Sequence, residues 1–287
     1  MNILVTGAAG QLGRAVAKAA EGSGNRYYFC DAHMLDITDA DALESFVTDK
    51  SIDVIVNCAS YTAVDKAEDE PERADLVNHR AVASMAQIAR THEAVLIHIS
   101  TDYVFDGMTG LAYADDAPVR PLNVYGRTKA AAEKAVVESG CRYIILRTSW
   151  LYGTEGNNFV KRIVEKSAEN PVLKVICDQI GTPTFVDDLA GLICMIVEED
   201  MLDREGIYNY SNEGVCSWYD FAHEICAQAG YLCDVIPCRT DEYPRKAARP
   251  HFSVMDKTRV KETFGVGIPH WKDSLTLCMN ALCGKTE

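Results

Sequence analysis

The sequence lacks the features that mark several classes of protein. Its 287 residues include 28 Lys and Arg against 42 Asp and Glu, which gives a formal net charge of −14. Sequence-independent binding of nucleic acid and docking on an anionic membrane both use a cationic surface, so this shortage of basic residues argues against both partners. No apolar run reaches the length of a membrane span, and no basic, cleavable leader begins the chain, which predicts a cytoplasmic protein.

The eleven cysteines form no Cys-x-x-Cys pair. The nearest spacings, Cys233 to Cys238 and Cys278 to Cys283, are unlike those of zinc sites, and the histidines are not grouped with them. Several cysteines lie inside apolar runs, where they behave as small hydrophobic residues. We therefore expect reduced, structural thiols and predict no metal ligand.

Apolar residues make up 48% of the chain, enough for a substantial core. In the first half, short apolar runs alternate with segments of helical periodicity. This alternation predicts a Rossmann-type α/β fold, a doubly wound parallel sheet with helices on both faces. The predicted strands are 2–6, 27–30, 54–56, 95–100 and 143–148, and the predicted helices are 11–21, 39–50, a long one after Pro71, and 124–139.

The alternation of predicted strands and helices becomes less regular after residue 150. We predict helices at 157–168, 186–199, 217–229 and 271–283, strands near 173–177 and 206–210, and a loop over 237–250. This composition indicates a smaller α/β C-terminal lobe that binds substrate. The predicted domains are 1–150 and 151–287. Their boundary is not sharply defined, and parts of the chain can cross back between the two lobes.

A glycine-rich turn follows the first predicted strand, with Gly7, Gly10 and Gly13 spaced as GxxGxxG. Such a turn lets the backbone approach a diphosphate, and the helix that follows presents free N–H groups to the phosphates. Asp31 ends the second strand, where a carboxylate accepts hydrogen bonds from the adenosine ribose and favours NADH. Arg14 favours the 2′-phosphate of NADPH instead, so the sequence leaves both cofactors open.

Tyr125 and Lys129 lie four residues apart on a predicted helix, so their side chains share one face. An ammonium beside a phenol stabilises the phenolate and lowers its pKa toward neutrality, which suits acid–base catalysis. Thr101 lies at the carboxyl end of the fourth strand, where α/β sheets place their sites, and its hydroxyl can hydrogen-bond a reacting carbonyl. The combination predicts a site for carbonyl reduction.

These features resemble the extended short-chain dehydrogenase/reductase superfamily. Longer strings are similar to the dTDP-4-dehydrorhamnose reductase family and spread over most of the chain: Thr62-Ala-Val-Asp-Lys-Ala-Glu, Ser100-Thr-Asp-Tyr-Val-Phe-Asp-Gly, Pro121-Leu-Asn-Val-Tyr-Gly-Arg-Thr-Lys, Arg147-Thr-Ser-Trp-Leu-Tyr-Gly, Gly156-Asn-Asn-Phe, Asp178-Gln-Ile-Gly-Thr-Pro-Thr and Ala248-Arg-Pro. The resemblance implies reduction, with NADH or NADPH, of the C4 ketone of the nucleotide sugar dTDP-4-dehydro-L-rhamnose to dTDP-L-rhamnose.

The resemblance also implies roles for matching residues. Tyr125 would donate the proton, Lys129 would lower the pKa of Tyr125 and hold the cofactor ribose, and Thr101 would polarise the ketone. The substrate would contact Thr101, Asp102, Trp150, Asn158 and Arg249, with Trp150 offering an apolar face to the hexose. The cofactor would be lined by Gly7, Gly10, Gln11, Leu12, Gly13, Asp31, Asp36, Ile37, Ala59, Ser60, Tyr61, Tyr125 and Lys129.

Other functions stay open. A different nucleotide-sugar 4-ketoreductase or a 4-epimerase would share the fold, and so would a non-catalytic subunit resembling the regulatory subunit of methionine adenosyltransferase. Sugar-nucleotide 4,6-dehydratases carry Thr-Asp-Glu, and Tyr103 replaces that Glu here.

Some reductases of the family form homodimers through a Mg²⁺ held by glutamates. Those acids cannot be matched in this sequence, where Asp187 and Asp188 fit the acidic first turn of a helix. A homodimer stays open. A basic group, Arg239, Arg245, Lys246 and Arg249, offers the local cations that a diphosphate would need in so acidic a protein.

Overall fold

A six-stranded parallel sheet forms the centre of the protein in a computed structural model that describes residues 1–284. Its strands are β1 (Asn2–Thr6), β2 (Arg26–Cys30), β3 (Val54–Asn57), β4 (Val95–Thr101), β5 (Arg142–Thr148) and β10 (Gly206–Asn209). Their spatial order is β2–β1–β3–β4–β5–β10. The chain turns from β2 to the opposite side of β1 when it enters β3. In such sheets, ligands bind beyond the carboxyl ends of the strands at this reversal.

The central strands are apolar on both faces, as expected when helices cover a parallel sheet on both sides. On one face, Ile3 and Val5 pack with the cluster that includes α1 (Gln11–Ala19) and α8 (Val186–Glu198). On the other face, Leu4 packs with the cluster that includes α2 (Ala40–Lys50), α5 (Ala81–Thr91) and α6 (Val124–Ser139). This confirms the predicted doubly wound α/β class.

The C-terminal half combines short strand pairs with helices. The pairs are β7 (Val172–Ile176) with β12 (Asp234–Cys238), β6 (Leu151–Tyr152) with β9 (Thr184–Phe185), and β8 (Ile180–Gly181) with β11 (Cys216–Ser217). The remaining helices are α3 (Val64–Ala67), α4 (Pro71–Asp75), α7 (Phe159–Glu169), α9 (Trp218–Ala229), α10 (Thr258–Phe264) and α11 (Trp271–Cys283). Two elements beyond residue 150, strand β10 and helix α8, return to the central sheet. They therefore pack with the predicted domain 1–150 rather than with the predicted C-terminal lobe.

Several local features differ from the predictions. The long helix after Pro71 is interrupted by a π-helical turn at Leu76–Arg80. The predicted loop 237–250 begins inside β12, because this strand pairs with β7 over its whole length. Helix α10 was not predicted. Over residues 1–284, no helix is long and apolar enough to cross a bilayer.

Candidate active site

The glycine turn lies at the reversal of strand order. Gly7 has φ +66°, and a Cβ there would lie 2.6 Å from the backbone nitrogen of Ala59, so only glycine fits between β1 and β3. Gly10 is the N-cap of α1, and because glycine has no side chain to cap the helix, the first-turn amides remain available to an anion. Gly10, Gln11 and Leu12 line a cavity of about 430 Å³.

The same cavity, which we call the reaction cavity, gathers residues from the ends of three strands and from α6. Ala59 and Ser60 follow β3, Thr101 ends β4, and Asp102 follows it. Trp150 follows β5, and Tyr125 and Lys129 come from α6. All seven of these predicted residues line the cavity. The strand ends place them together because parallel strands carry their carboxyl ends to one edge of the sheet.

Other predicted cofactor residues are committed to local structure. The Asp31 carboxylate accepts hydrogen bonds from the backbone N–H groups of His33 and Met34 at 2.9 and 3.1 Å. Asp36 closes a turn in the same way with Thr38, at 2.9 Å from its N–H. Ile37 is buried in the core beside α2. These three lie at and beyond the end of β2, outside the lining of the reaction cavity.

The loop after β3 is held by Asn78, a residue that the sequence analysis missed. Asn78 lies in the π-helical turn and is fully buried. Its Oδ1 accepts hydrogen bonds from the Ser60 hydroxyl at 3.0 Å and from the Tyr61 N–H at 2.7 Å, while its Nδ2 donates to Thr128 Oγ1 on α6. The Tyr61 hydroxyl donates to Glu70, away from the cavity. The π-turn is therefore the feature that ties the β3 loop to α6, and π-turns often mark functional sites.

Helix α6 begins at the reaction cavity. The Asn123 side chain caps it by accepting a hydrogen bond from the Gly126 N–H at 2.7 Å. A Cβ on Gly126 would lie 2.2 Å from the Tyr103 carbonyl oxygen, so glycine lets the helix approach the turn after β4. The Tyr103 and Tyr125 rings meet edge to face at 5.9 Å. The first turn of α6 is thus fixed against the end of β4.

The side chains of Tyr125 and Lys129 have different hydrogen-bond partners in the structure. Burial raises the pKa of Tyr125 to about 12, against opposing hydrogen bonds with Thr101 and Ser60. Lys129 Nζ donates a hydrogen bond to the Ile99 carbonyl at 2.6 Å, and burial lowers the pKa of Lys129 to about 8. Lys129 is not among the groups that shift the pKa of Tyr125 here, so its effect on Tyr125 stays a prediction. At neutral pH the Tyr125 phenol is protonated.

Thr101 and Asp102 are both buried at the floor of the cavity. The Thr101 hydroxyl donates to Asp102 Oδ1 at 3.1 Å and accepts a hydrogen bond from the Tyr103 N–H at 3.2 Å. Burial raises the pKa of the Asp102 carboxyl to about 7. A carboxyl with this pKa exists in both protonation states near neutral pH. It can therefore donate a hydrogen bond to a polar ligand or accept one from it.

Trp150 adopts a left-handed backbone conformation with φ +48°, which is unusual for a residue with a side chain. Its indole stacks on Trp218 with ring centroids 3.6 Å apart and planes 13° from parallel. Trp218, the first residue of α9, was not predicted as a site residue. It lines the reaction cavity and also a second, adjoining cavity. Trp218 therefore lies where the two cavities meet, and Trp150 stacks on it from the side of the reaction cavity.

The second cavity, of about 660 Å³, is the basic cavity. Among its lining residues, six are cationic and one is acidic: Lys66, Arg162, Lys166, Lys174, Arg245 and Arg249, with Asp65. Arg249 donates two hydrogen bonds to the Asp65 carboxylate at 2.8 and 2.9 Å. These contacts lower the pKa of Asp65 to about 2. A cavity of this charge suits a phosphate-bearing ligand.

Part of the predicted basic group lies elsewhere. Arg239 pairs with Asp241, and Lys246 pairs with Asp69, both on the exposed surface. Asn158 is buried and caps α7 by accepting the Lys161 N–H, while its Nδ2 donates to Gln11 Oε1 at 2.8 Å. The neighbouring Asn157 lines the reaction cavity. The basic residues on α7 and β7 were missed because only the folded chain brings them beside Arg249.

The acids considered for a metal have other partners. Asp187 pairs with Lys18 at 3.0 Å, and Asp188 accepts hydrogen bonds from Asn212 and Ser274, both at 2.6 Å. Within residues 1–284, no group of three or more His, Cys, Asp or Glu side chains is arranged to hold a metal ion.

Comparison with known proteins identifies relatives over the whole chain. Residues 1–283 match the family model described as RmlD substrate binding domain. A dTDP-4-dehydrorhamnose reductase of Aggregatibacter actinomycetemcomitans is 38% identical over 283 residues, covering 95% of this chain and 96% of the relative.

Two solved structures are also similar to this chain. A dTDP-4-dehydrorhamnose reductase of Clostridium acetobutylicum is 39% identical with a TM-score of 0.95, covering 99% of this chain and 100% of that one. The enzyme of the same name from Bacillus anthracis, in complex with NADP, is 35% identical with a TM-score of 0.91, covering 98% of this chain and 99% of that one.

Proposed function

Since this chain belongs to the RmlD substrate binding domain family, in which its relatives are dTDP-4-dehydrorhamnose reductases, we propose that it reduces the C4 ketone of dTDP-4-dehydro-L-rhamnose to dTDP-L-rhamnose. The electron donor is NADPH or NADH. The observation that carries the proposal is the junction of the two cavities. Thr101, Tyr125 and Lys129 line one cavity, and it adjoins a basic cavity with room for a nucleotide diphosphate.

The glycine turn fits the dinucleotide. A Cβ at Gly7 would fill the cradle between β1 and β3, and the uncapped first turn of α1 offers N–H donors and the positive end of a helix dipole to the diphosphate. The bound cofactor supplies the hydride. Lys129 holds its ribose hydroxyls, and Ala59 and Ser60 pass beside it. Asp31 at the end of β2 favours NADH, while the relative with NADP bound supports NADPH.

Tyr125 donates the proton. Reduction of a ketone places negative charge on the carbonyl oxygen, and a protonated phenol beside that oxygen neutralises it as the charge develops. A raised pKa suits this direction, because the phenol carries its proton at neutral pH before the hydride arrives. Thr101, which is hydrogen-bonded to the Tyr125 side chain, polarises the same oxygen.

The substrate spans both cavities. Asp102 and Trp150 contact the deoxysugar in the reaction cavity, and Arg249 with its cationic neighbours binds the diphosphate in the basic cavity. We also propose a cytoplasmic location. The eleven cysteines, all within the described part of the chain, are free thiols, as expected in a reducing compartment.

The test is oxidation of NADPH and of NADH with dTDP-4-dehydro-L-rhamnose, beside a UDP-linked ketosugar. Consumption of cofactor in proportion to the dTDP ketone is expected. Failure with both nucleotide sugars would overturn the reductase proposal. Protein that arrives with bound NAD and interconverts epimers without net oxidation would instead indicate an epimerase.

Tyr125→Phe should lower turnover about a hundredfold or more, as loss of a general acid does. Tyr27→Phe is a matched control, because its hydroxyl donates to Glu198 at the far edge of the sheet. We expect Tyr27→Phe to retain turnover. Wild-type turnover in Tyr125→Phe would remove this phenol from the mechanism.

A further inference from the structure

A continuous chain of buried hydrogen bonds runs beneath the reaction cavity, from β1 to α6. The Thr6 hydroxyl donates to Asn57 Oδ1 at 2.8 Å, Asn57 Nδ2 lies 3.1 Å from His98 Nδ1, and His98 Nε2 lies 3.2 Å from Lys129 Nζ. All four side chains are buried, and His98 is 0% exposed. His98 stands inside an apolar strand, where the sequence offers no sign that it touches Lys129.

The direction of this chain is fixed at Asn57. The Ala59 backbone N–H, which can only donate, lies 3.1 Å from Asn57 Oδ1. The amide oxygen must therefore face Ala59 and Thr6, and the amide NH₂ must face His98. A donor facing His98 Nδ1 requires a lone pair on that nitrogen. The ring proton of neutral His98 is then on Nε2, directed at Lys129.

This tautomer of His98 determines which protonation state of Lys129 fits the contact between them. An Nε2–H group donates to the Lys129 nitrogen only if that nitrogen has a lone pair, as it does in the neutral amine. The amine still has hydrogens to donate to the Ile99 carbonyl at 2.6 Å. An ammonium on Lys129 would face the Nε2–H group of His98, so that two donors would meet. If the His98 proton moved to Nδ1 instead, two donors would meet at the Asn57 NH₂ group. Such an unsatisfied contact is costly in a buried site.

We propose that Asn57 and His98 are positioning residues for Lys129, which hold its side-chain nitrogen as a hydrogen-bond acceptor and favour its uncharged form in the cofactor-free protein. The inference rests on the proposed function only in assigning Lys129 to the reductase site. In this arrangement the Lys129 nitrogen presents a lone pair to His98 before the cofactor binds.

The other groups facing Lys129 act on its charge in both directions. Burial lowers the pKa of both His98 and Lys129, and for Lys129 to about 8. Glu133, one turn further along α6, raises the pKa of Lys129. Its carboxylate is paired with Arg147 of β5 at 2.7 Å, which offsets its charge. Tyr125 on α6 and Asp102 after β4 line the cavity on the open side of Lys129.

The first experiment uses the wild-type protein. Nitrogen NMR of ¹⁵N-histidine-labelled protein distinguishes the two neutral tautomers, and the His98 signal is assigned by its loss in His98→Gln. We expect a proton on Nε2, a bare Nδ1, and no titration of His98 between pH 6 and 9. A proton on Nδ1, or a charged imidazole, would overturn the proposal.

The second experiment reverses the polarity of the chain. Asn57→Asp keeps the acceptors for Thr6 and Ala59 but presents a carboxylate to His98 Nδ1, which moves the ring proton there and leaves a lone pair for a Lys129 ammonium. We expect the pKa of Lys129, followed by carbon NMR of labelled lysine, to rise by about one pH unit or more. Thr6→Val leaves the Asn57 amide oriented by Ala59 and should leave the pKa of Lys129 unchanged.

Equal pKa values for Lys129 in the wild type and Asn57→Asp would also overturn the proposal. If Asn57→Asp does not fold, the wild-type tautomer decides the matter. Neither measurement needs turnover, so a failure of the reductase proposal would appear separately, in the NADPH oxidation assay.

Discussion

Replacing Glu133 by Gln should be strongly destabilising. Glu133 and Arg147 are almost fully buried, and the guanidinium donates to both carboxylate oxygens at 2.9 and 2.7 Å. The Gln side chain keeps the volume but removes the charge, so Arg147 would remain buried without its counter-ion. Breaking a buried pair on one side costs about 3–5 kcal/mol.

The expected change in melting temperature follows from chain length. An unfolding entropy of about 2 cal/mol/K per residue over 287 residues converts this loss to about 5–8 °C. Urea unfolding and calorimetry measure both quantities. Glu138→Gln on the same helix is the matched control, because Glu138 pairs with Lys134 at 3.7 Å on the exposed surface and should cost less than about 1 kcal/mol.

The double variant Glu133→Gln with Arg147→Met separates the two causes. If the stranded charge of Arg147 is responsible, removing it should recover much of the stability that the single variant loses. A loss below about 1 kcal/mol in Glu133→Gln alone, or no recovery in the double variant, would show that this pair is not the source of stability that its geometry indicates.

Three further predictions concern the site. The folded-state pKa of Asp102 lies above its unfolded value, so its carboxyl lowers stability progressively from about pH 4 to pH 7. The stability gained by Asp102→Asn in urea unfolding should therefore grow by about 2 kcal/mol between pH 5 and pH 7 and level off above pH 8. Arg249→Ala should weaken dTDP binding about tenfold or more by calorimetry, while Arg239→Ala, outside the basic cavity, should not. Gly126→Ala should cost about 1–3 kcal/mol because its Cβ would meet backbone at 2.2 Å, whereas Gly191→Ala in α8, with open space around it, should be neutral or stabilising in the same unfolding assay.

The sequence predicted the central sheet well because its signals are local. Apolar runs ending in Gly7, Asp31 and Asn57 mark strands buried on both faces, and helix 124–139 has the bounds that the structure shows, between the Asn123 cap and Gly140. The residues at strand ends were then gathered by a rule of topology, since parallel strands share one carboxyl edge.

The full lining of the basic cavity could not be predicted from local sequence patterns. Arg162 and Lys166 look like the solvated face of an amphipathic helix, and Lys174 looks like an exposed strand residue. They line a site only because β7 pairs with β12 and carries α7 beside Arg249. No spacing in the sequence encodes that pairing, and β12 was not predicted as a strand.

The end point of the Lys129 side chain could not be predicted, for a different reason. Four residues on a helix put two side chains on one face, but not their charged ends in contact. The long Lys129 side chain reaches β4, where its nitrogen contacts the Ile99 carbonyl and His98. Periodicity predicts a shared face, whereas hydrogen-bond partners decide where a flexible side chain ends.

The return of β10 to the sheet joins the two halves of the chain mechanically. Gly206–Asn209 covers the outer edge of β5, whose residues Ile144, Ile145 and Leu146 are fully buried. A fragment ending near residue 150 would leave that edge as an open row of backbone donors and acceptors beside an apolar surface, which is a template for aggregation. The catalytic half thus requires a segment translated more than fifty residues later to complete its sheet.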